Sequence, residues 1–433
     1  MTPLAGGTSS AGPTANLRSL PSLCERVRSM TVLVGAWHAI RRNAETSQTA
    51  STKRSAVEFG RNLPANLRWI QDRLRKGYEF EKAFGATPPK GQGKNGKRPI
   101  VVASLRDRLV QRAILDVLQD APDLPSIRRI LTTPTSIGGI RGRGVDNAIS
   151  LFDEQVRAGH THVAGSDIAG FFTKIKPSSV IEYLRRDIKE EPFLRLMEDA
   201  LKVELRNIDE IAPEDRKLFP TGDDGVAQGS PLSALAGNIV LQDFDVNLNT
   251  RGITCIRYID DFIITGSSAR AVSSAMRTAG ELLFALGMSV YDPIQAPAKA
   301  FSGQIGTPFD FLGHELTPGS YPPSSEARKK LLARVDTLLK GGRASIRKAI
   351  AGHPLTHQDR CFAQTVVAVD NTLKGWRGSF QSSSCPEVFE ALDREIDGRI
   401  GEFERNFHVR TSTCGKTTRR RALGIEAVGR KPR

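Results

Sequence analysis

The segment Tyr258-Ile259-Asp260-Asp261 lies between two apolar runs, Thr254 to Arg257 and Phe262 to Thr265. The pattern predicts strand, tight turn, strand, with two adjacent carboxylates at the tip. An apolar hairpin has no structural use for neighbouring acids, which repel unless a cation holds them together. Two divalent metal ions about 4 Å apart, clamped by carboxylates, form the device used for nucleotidyl transfer. A lone Asp-Asp pair is also compatible with a solvated turn, so the rest of the chain has to decide.

Charge narrows the choice. Lys and Arg number 62 against 47 Asp and Glu, a net +15 over 433 residues, with a pI near 9.8. That excess points to a polyanionic partner, nucleic acid first and a membrane surface second. No apolar run reaches the ~20 residues of a transmembrane helix, and no signal peptide is visible. Five scattered cysteines form no CxxC pair, and seven dispersed histidines form no cluster. Neither a disulfide framework nor a zinc knuckle is expected, and a reducing cytoplasm fits.

Periodicity divides the chain. Residues 1–19 are rich in Gly, Ser, Thr and Pro and predict disorder, and residues 20–84 predict a helical extension in which the polar stretch Asn43 to Ser55 is a loop. Over residues 85–320 strands and helices mix: a basic hairpin tip at Pro88 to Arg98, a strand from His162 to Asp167, a long helix from Pro231 to Asn249 and a strand from Phe309 to Leu316. This is an α+β pattern with an antiparallel sheet, not a wound βαβ sheet. After Tyr321-Pro322-Pro323 the strand signal ends, and residues 321–404 predict three helices. From Arg405 to the end nine Lys and Arg face one Glu, which predicts a basic tail that stays disordered until it meets an anion.

A two-metal site needs a further acid on a neighbouring strand. Asp167, at the end of the His162 strand and before Gly170-Phe171-Phe172, is placed for it. Asp167 and Asp260 are then the main ligands, with the Ile168 backbone carbonyl in addition and Asp261 in a secondary role. Magnesium is the expected ion, two of them, with manganese able to substitute, because it prefers oxygen ligands and triphosphate bridges. One would lower the pKa of a primer 3′-hydroxyl and the other would hold pyrophosphate.

Asp167 with Phe171-Phe172, then Ala227-Gln228-Gly229-Ser230-Pro231-Leu232-Ser233, then Tyr258-Ile259-Asp260-Asp261 resemble motifs A, B and C of reverse transcriptases, in the order and spacing of the group II intron-like branch. Ala36-Trp37-His38-Ala39-Ile40-Arg41-Arg42-Asn43 looks like that branch's amino-terminal extension, and Asn95-Gly96-Lys97-Arg98-Pro99 and Arg106 to Gln111 look like its fingers motifs. Phe311-Leu312-Gly313 looks like the primer grip, and Gly375-Trp376-Arg377-Gly378 resembles a thumb element. The resemblance covers roughly residues 20–400. It implies a right-hand polymerase of fingers and antiparallel palm followed by a helical thumb.

The resemblance also implies roles. Lys97 and Arg98 would reach the triphosphate of the incoming dNTP, where charge must be neutralised in the transition state. Phe172 would pack under the sugar and exclude a 2′-hydroxyl, with Phe171 as the fallback gate. Gln228 would sit near the template-nucleotide pair, its backbone fixed by Gly229 and Pro231, and Tyr258 would face the primer terminus, with Leu312 and Gly313 gripping the primer. Lys299 corresponds either to the lysine that protonates pyrophosphate or to a surface lysine, and Trp376 reads as thumb core.

Some features depart from intron-encoded enzymes. Thr173 stands where that family usually carries Asp, and Ser136 to Gly144 replaces the usual His-Gly-Phe-Arg stretch. No Asn-Ala-x-x-His or Val-Thr-Gly signature supports a retron enzyme. The chain stops soon after the thumb-like region, so an endonuclease-free enzyme is expected. Such a chain most resembles the stand-alone defence-associated reverse transcriptases, which copy a structured partner RNA during an antiphage response. The resemblance implies structured non-coding RNA, RNA-DNA hybrid and dNTPs as partners. A group II intron maturase acting mainly in RNA splicing, and a template-independent terminal transferase, are the alternatives. The template, the priming mode and the oligomeric state are not legible.

Overall fold

The computed structural model describes residues 21–47, 49–89, 96–121, 123–220 and 223–425. The expected disordered segment at 1–19, most of the basic hairpin tip (90–95) and the last eight residues of the tail lie outside the described residues.

Four helices open the chain: α1 (Leu23–Val27), α2 (Met30–Thr46), α3 (Ala50–Arg61) and α4 (Leu63–Lys76). Ser22 caps α1 by accepting from the Glu25 amide, and the Glu25 carboxylate answers by accepting from the Ser22 amide. The loop expected over Asn43 to Ser55 is mostly helix. Ala44 is 1% exposed and prolongs the buried face of α2, while α3 brings Phe59 to 5.0 Å from the Trp37 ring.

A short antiparallel hairpin follows, β1 (Phe84–Ala86) with β2 (Ile100–Val102). Next comes α5 (Leu105–Gln119), which buries Leu109, Val110, Ile114 and Leu118 against α2. Then α6 (Pro125–Thr132) and α7 (Val145–Arg157) lead to β3 (His162–Ala169). The strand passes through a left-handed Gly170 (φ 65°) into α8 (Phe171–Lys174). Helices α9 (Pro177–Leu184), α10 (Glu191–Leu201) and α11 (Pro213–Arg216) precede α12 (Ser233–Val240) and α13 (Gln242–Asn247). The last two correct the expected single helix from Pro231 to Asn249. The chain leaves helical geometry at Leu241 (φ −91°, ψ 10°), although Leu241 and Asp245 amides still bond to Gly237 and Leu241 carbonyls at 3.0 and 2.9 Å.

Strands β4 (Ile253–Tyr258) and β5 (Asp261–Gly266) form the acidic hairpin, followed by α14 (Ala269–Ala285), β6 (Ser289–Val290) and β7 (Ala300–Gln304). The sheet runs β4-β5-β3-β6, and β7 also pairs with β3; every pairing is antiparallel. β3 is thus the centre of the sheet, with Asp167 directly opposite Asp261. The strand expected from Phe309 to Leu316 is instead a hairpin of β8 (Phe309–Phe311) and β9 (His314–Leu316). Leu312 and Gly313 both take positive φ, 51° and 82°, which is what a two-residue turn of this hand demands.

The remaining described chain is helical: α15 (Ser325–Ile350), α16 (Phe362–Gly378), α17 (Pro386–Thr411) and α18 (Lys416–Leu423). These helices share their own core, built on Leu331, Val335, Leu339, Val369, Phe403 and Phe407. The fold is therefore α+β with an antiparallel sheet followed by a helical region, as the sequence predicts. The tail expected to be disordered from Arg405 is not so through Leu423. Phe403, Phe407 and Thr411 continue the buried stripe of α17 at four-residue spacing, and Ala422 of α18 is fully buried. Among the described residues no helix is long and apolar enough to cross a membrane.

Candidate active site

The acidic residues meet where β3 lies beside the β4–β5 hairpin. Opposed residues on adjacent antiparallel strands point to the same face, so Asp167 and Asp261 share one side of the sheet. The turn is tight enough to put Ile259 at φ 63°, a left-handed conformation that costs a β-branched residue of the order of 1–3 kcal/mol. The Asp260 carbonyl leaves the turn to accept from the Ile168 amide at 2.7 Å, which ties the turn to β3. Burial, and then the charge of Asp167, lift the Asp260 carboxyl above the ordinary carboxylate range. Two acids from separate segments are thus close enough to feel each other.

Lys299 is drawn into the same place. Its Nζ pairs with Asp167 Oδ2, its carbonyl accepts from the Asp167 amide at 3.0 Å, and its ammonium lies 4.7 Å from the centre of the Tyr291 ring. Its side chain is partly exposed and lies beside Asp167.

The structure gathers a second group behind the acids. Phe171 is 3% exposed and presses on α12, where a Cβ at Gly237 would come within 2.4 Å of its Cζ. Phe172, at 5.1 Å from the Phe171 ring, is only half-buried, and its carbonyl accepts from Val226 at 2.7 Å. Two residues on, the Gln228 carbonyl accepts from Val101 of β2 at 3.1 Å. Gly229 (φ 116°) passes so near that strand that a Cβ would meet the Val101 carbonyl at 3.3 Å. Gln228 and Gly229 therefore stand between the palm and the β1–β2 hairpin.

Other expected residues sit apart. Lys97 is exposed but its ammonium bonds to Asp215, a carboxylate only 6% exposed, and that bond holds the lysine above its ordinary pKa. Arg98 bonds through its amide to Pro88 at 2.9 Å. Leu312 and Gly313 form the β8–β9 turn facing the helical region, where Phe380 lies against Gly313 and its ring stands tilted 4.8 Å from that of His314. Trp376 stands 4.6 Å from Phe380. Tyr258 closes β4 opposite Asp261, half-buried among Phe152, Ile256 and their neighbours.

One set of residues escaped the sequence reading. Arg257, in β4, is fully buried and forms a two-pronged ion pair with Asp245 of α13, at 2.7 and 2.5 Å. Burial works to lower the guanidinium's pKa, and Asp245 outweighs it and holds it above the ordinary value. Asn238 of α12 and Ser136 complete the shell. The signal was present: a charge between Ile256 and Tyr258 in an apolar strand needs a buried partner.

The family model described as reverse transcriptase (RNA-dependent DNA polymerase) matches residues 88–316, more than half of the chain. The chain belongs to the reverse transcriptase family. Protein YkfC of Escherichia coli strain K12 is 30% identical over 220 residues, 50% of this polymerase-family chain and 54% of YkfC. The chain thus spans about half the length of that curated relative. Two solved assemblies, a partial Cas6-RT-Cas1--Cas2 complex and a Cas6-RT-Cas1--Cas2 complex, align over 62% of this chain and over 44% and 27% of theirs. Both share 22% identity with it at a TM-score of 0.35, a level that does not equate the folds.

Members of this family generally use divalent metal ions, and the donors here can be tested against one. Among the described residues no group of three or more His, Cys, Asp or Glu stands placed to hold a metal ion by itself. The available donors are carboxylate and carbonyl oxygens, two carboxylates lie within mutual influence, and the Lys299 ammonium places positive charge against one of them. An open, oxygen-only site of this kind fits a hard divalent cation that takes its other ligands from water and substrate phosphates.

Proposed function

We propose that this chain is an RNA-directed DNA polymerase that copies a structured partner RNA into cDNA, using two magnesium ions held by Asp167, Asp260, Asp261 and the Ile168 carbonyl. The observation that carries the reading is the pairing of Asp167 opposite Asp261, with Asp260 in the adjoining turn. Metal ions held by these residues would supply the charge that activates a primer 3′-hydroxyl and steadies the leaving pyrophosphate.

The protein's own groups do the positioning. Phe172, half open beside buried Phe171, is the aromatic that can lie under a nucleotide sugar, so it takes the gate role and Phe171 anchors it. Gln228 and Gly229, fixed to β2 by main-chain contact, form the floor under the template-nucleotide pair. Lys97 exchanges Asp215 for the triphosphate, and Arg98 joins it. Tyr258 meets the primer end, and the Leu312-Gly313 turn steadies the primer from the side of the helical region. Lys299, already against Asp167, is the candidate general acid for pyrophosphate.

The net charge of +15 suits an RNA-DNA hybrid as the bound duplex. The resemblance of its motifs to the group II intron-like branch supports a cytoplasmic role in antiphage defence. Primer extension on an RNA template tests the activity. The wild type extends with dNTPs, and Asp260→Asn loses roughly 10³-fold or more in rate while hybrid affinity is unchanged. Equal extension by both proteins overturns the assignment of Asp260. Sequencing the nucleic acid that co-purifies with each protein tests the partner. One structured RNA, with cDNA only in the wild type, is expected; intron RNA would mean a maturase, and DNA matching no bound RNA a terminal transferase.

A further inference from the structure

The guanidinium of Arg257 has five N–H donors, and five acceptors surround it. Nε donates to Asp245 Oδ1 at 2.7 Å, and Nη2 to Asp245 Oδ2 at 2.5 Å and to Ser136 Oγ at 2.8 Å. Nη1 donates to Asn238 Oδ1 at 3.0 Å and to the Ile259 carbonyl at 2.9 Å. The last acceptor differs in kind from the others. It is a main-chain oxygen inside the acidic turn, on the residue held at φ 63° and immediately before Asp260.

The surroundings reinforce that contact. The Ile137 amide donates to the Arg257 carbonyl at 2.8 Å, and the Arg257 amide to Thr135 at 2.9 Å, so the 135–137 stretch meets β4 in a single parallel bridge. Asn238 Nδ2 donates to the Gly138 carbonyl at 2.9 Å. Gly138 then lies so close to the turn that a Cβ there would come within 2.7 Å of the Ile259 amide nitrogen. The Ser136-Ile137-Gly138 stretch, one of this chain's departures from the intron family, is therefore packed against the acidic turn rather than exposed as a loop.

A buried ion pair is a poor source of stability, because desolvation cancels most of the attraction and apolar residues of similar volume do as well. What apolar residues cannot do is bond a carbonyl in a strained turn. We propose that Arg257 is a positioning residue that sets the divalent-cation affinity of the acidic turn, by holding the Ile259 carbonyl in place against α12 and α13. Asn238 and Asp245 orient the guanidinium, and Ser136 occupies its last donor. The inference rests on the metal-binding reading of Asp167 and Asp260 given above. It adds the element that fixes their geometry before any substrate arrives.

The test is Mn2+ binding to the full chain without nucleic acid, followed by electron paramagnetic resonance. Wild type, Asp260→Asn, Arg257→Lys, Asn238→Ala and Ser136→Ala are compared, with folding checked by near-ultraviolet circular dichroism. Lys keeps the charge opposite Asp245 but cannot also reach Ser136, Asn238 and the Ile259 carbonyl. Arg257→Lys is expected to bind Mn2+ about tenfold more weakly, within the range typical when a residue that orients a metal ligand is lost. Asn238→Ala is expected to lose less, in the same direction, and hybrid affinity to hold in all of them. A folded Arg257→Lys with wild-type Mn2+ affinity overturns the proposal. Should Arg257→Lys fail to fold, wild-type affinity in both Asn238→Ala and Ser136→Ala overturns it instead, and weaker binding in either supports it. If wild type and Asp260→Asn bind Mn2+ equally, the metal reading itself falls and takes this inference with it.

Discussion

The sheet region and the helical region after Pro323 handle charge in opposite ways. Around the sheet, Arg257 and Asp245 are buried to 0% and 2% side-chain exposure and bonded to three separate segments. Among α15 to α18 the ion pairs stay at the surface, as in Arg399 with Asp336 (29% and 58%) and Lys374 with Asp370 (73% and 51%). The helical core is apolar, with Phe362 stacked 5.3 Å from Phe403. One region uses polar contacts to fix a geometry, and the other uses apolar area to fix a shape. Stability and site geometry should therefore be separable in the second region and inseparable in the first.

Phe403→Ala tries to break that contrast with the largest expected effect. Truncating a fully buried ring should cost about 3–5 kcal/mol. Hydrogen exchange should rise across α15 to α18 while β3, β4 and β5 keep their protection. Equal loss in the strands would mean one cooperative unit. Gly237→Ala sharpens the comparison from the other side. The added methyl meets Phe171 at 2.4 Å, and overpacking of this kind costs about 1–3 kcal/mol. Because Phe171 anchors Phe172, the KM for dNTP should rise along with the fall in melting temperature. A drop in melting temperature with unchanged KM would detach packing from the site.

The smallest effect concerns pH. The Thr356 amide, then Lys348, the Thr356 hydroxyl and Ser345 hold the Asp359 carboxyl well below its ordinary 3.8. A carboxyl depressed in the folded state contributes stability above its unfolded pKa and loses it as pH falls below that value. The melting temperature of the helical region should therefore fall through and below pH 3.8 in the wild type, and Asp359→Asn should flatten that acid limb. An unaltered limb would assign the acid sensitivity to other carboxylates.

What the sequence disclosed follows the same division. The helices of the last region were legible because Leu331, Val335, Leu338 and their successors repeat every three or four residues, a pattern that needs no distant partner. The acids were legible because Asp260 and Asp261 interrupt an apolar hairpin. The partners of charges were not, since Arg257 to Asp245, Lys97 to Asp215 and Lys299 to Asp167 are set by tertiary packing and leave no local period. The turn at Leu312 was missed for a different reason: a lone Gly in a strand pattern also marks a bulge, and Leu gives no hint of positive φ. The end of α17 was misplaced because charge density after Arg405 hid the Phe407 and Thr411 stripe.

The bond between Ser136 and Arg257 spans 121 residues of chain. Contacts of such long separation form late, because a large loop must close before they can be made. As the chain emerges during synthesis, Asp167 is exposed well before Arg257 and the turn that follows it exist. A fragment ending before Arg257 carries one of the acids and none of the scaffold that aligns it with the others. On the proposed reading of the site, the order of the chain would keep an unfinished product chemically silent, with competence arriving as a single late event rather than by degrees.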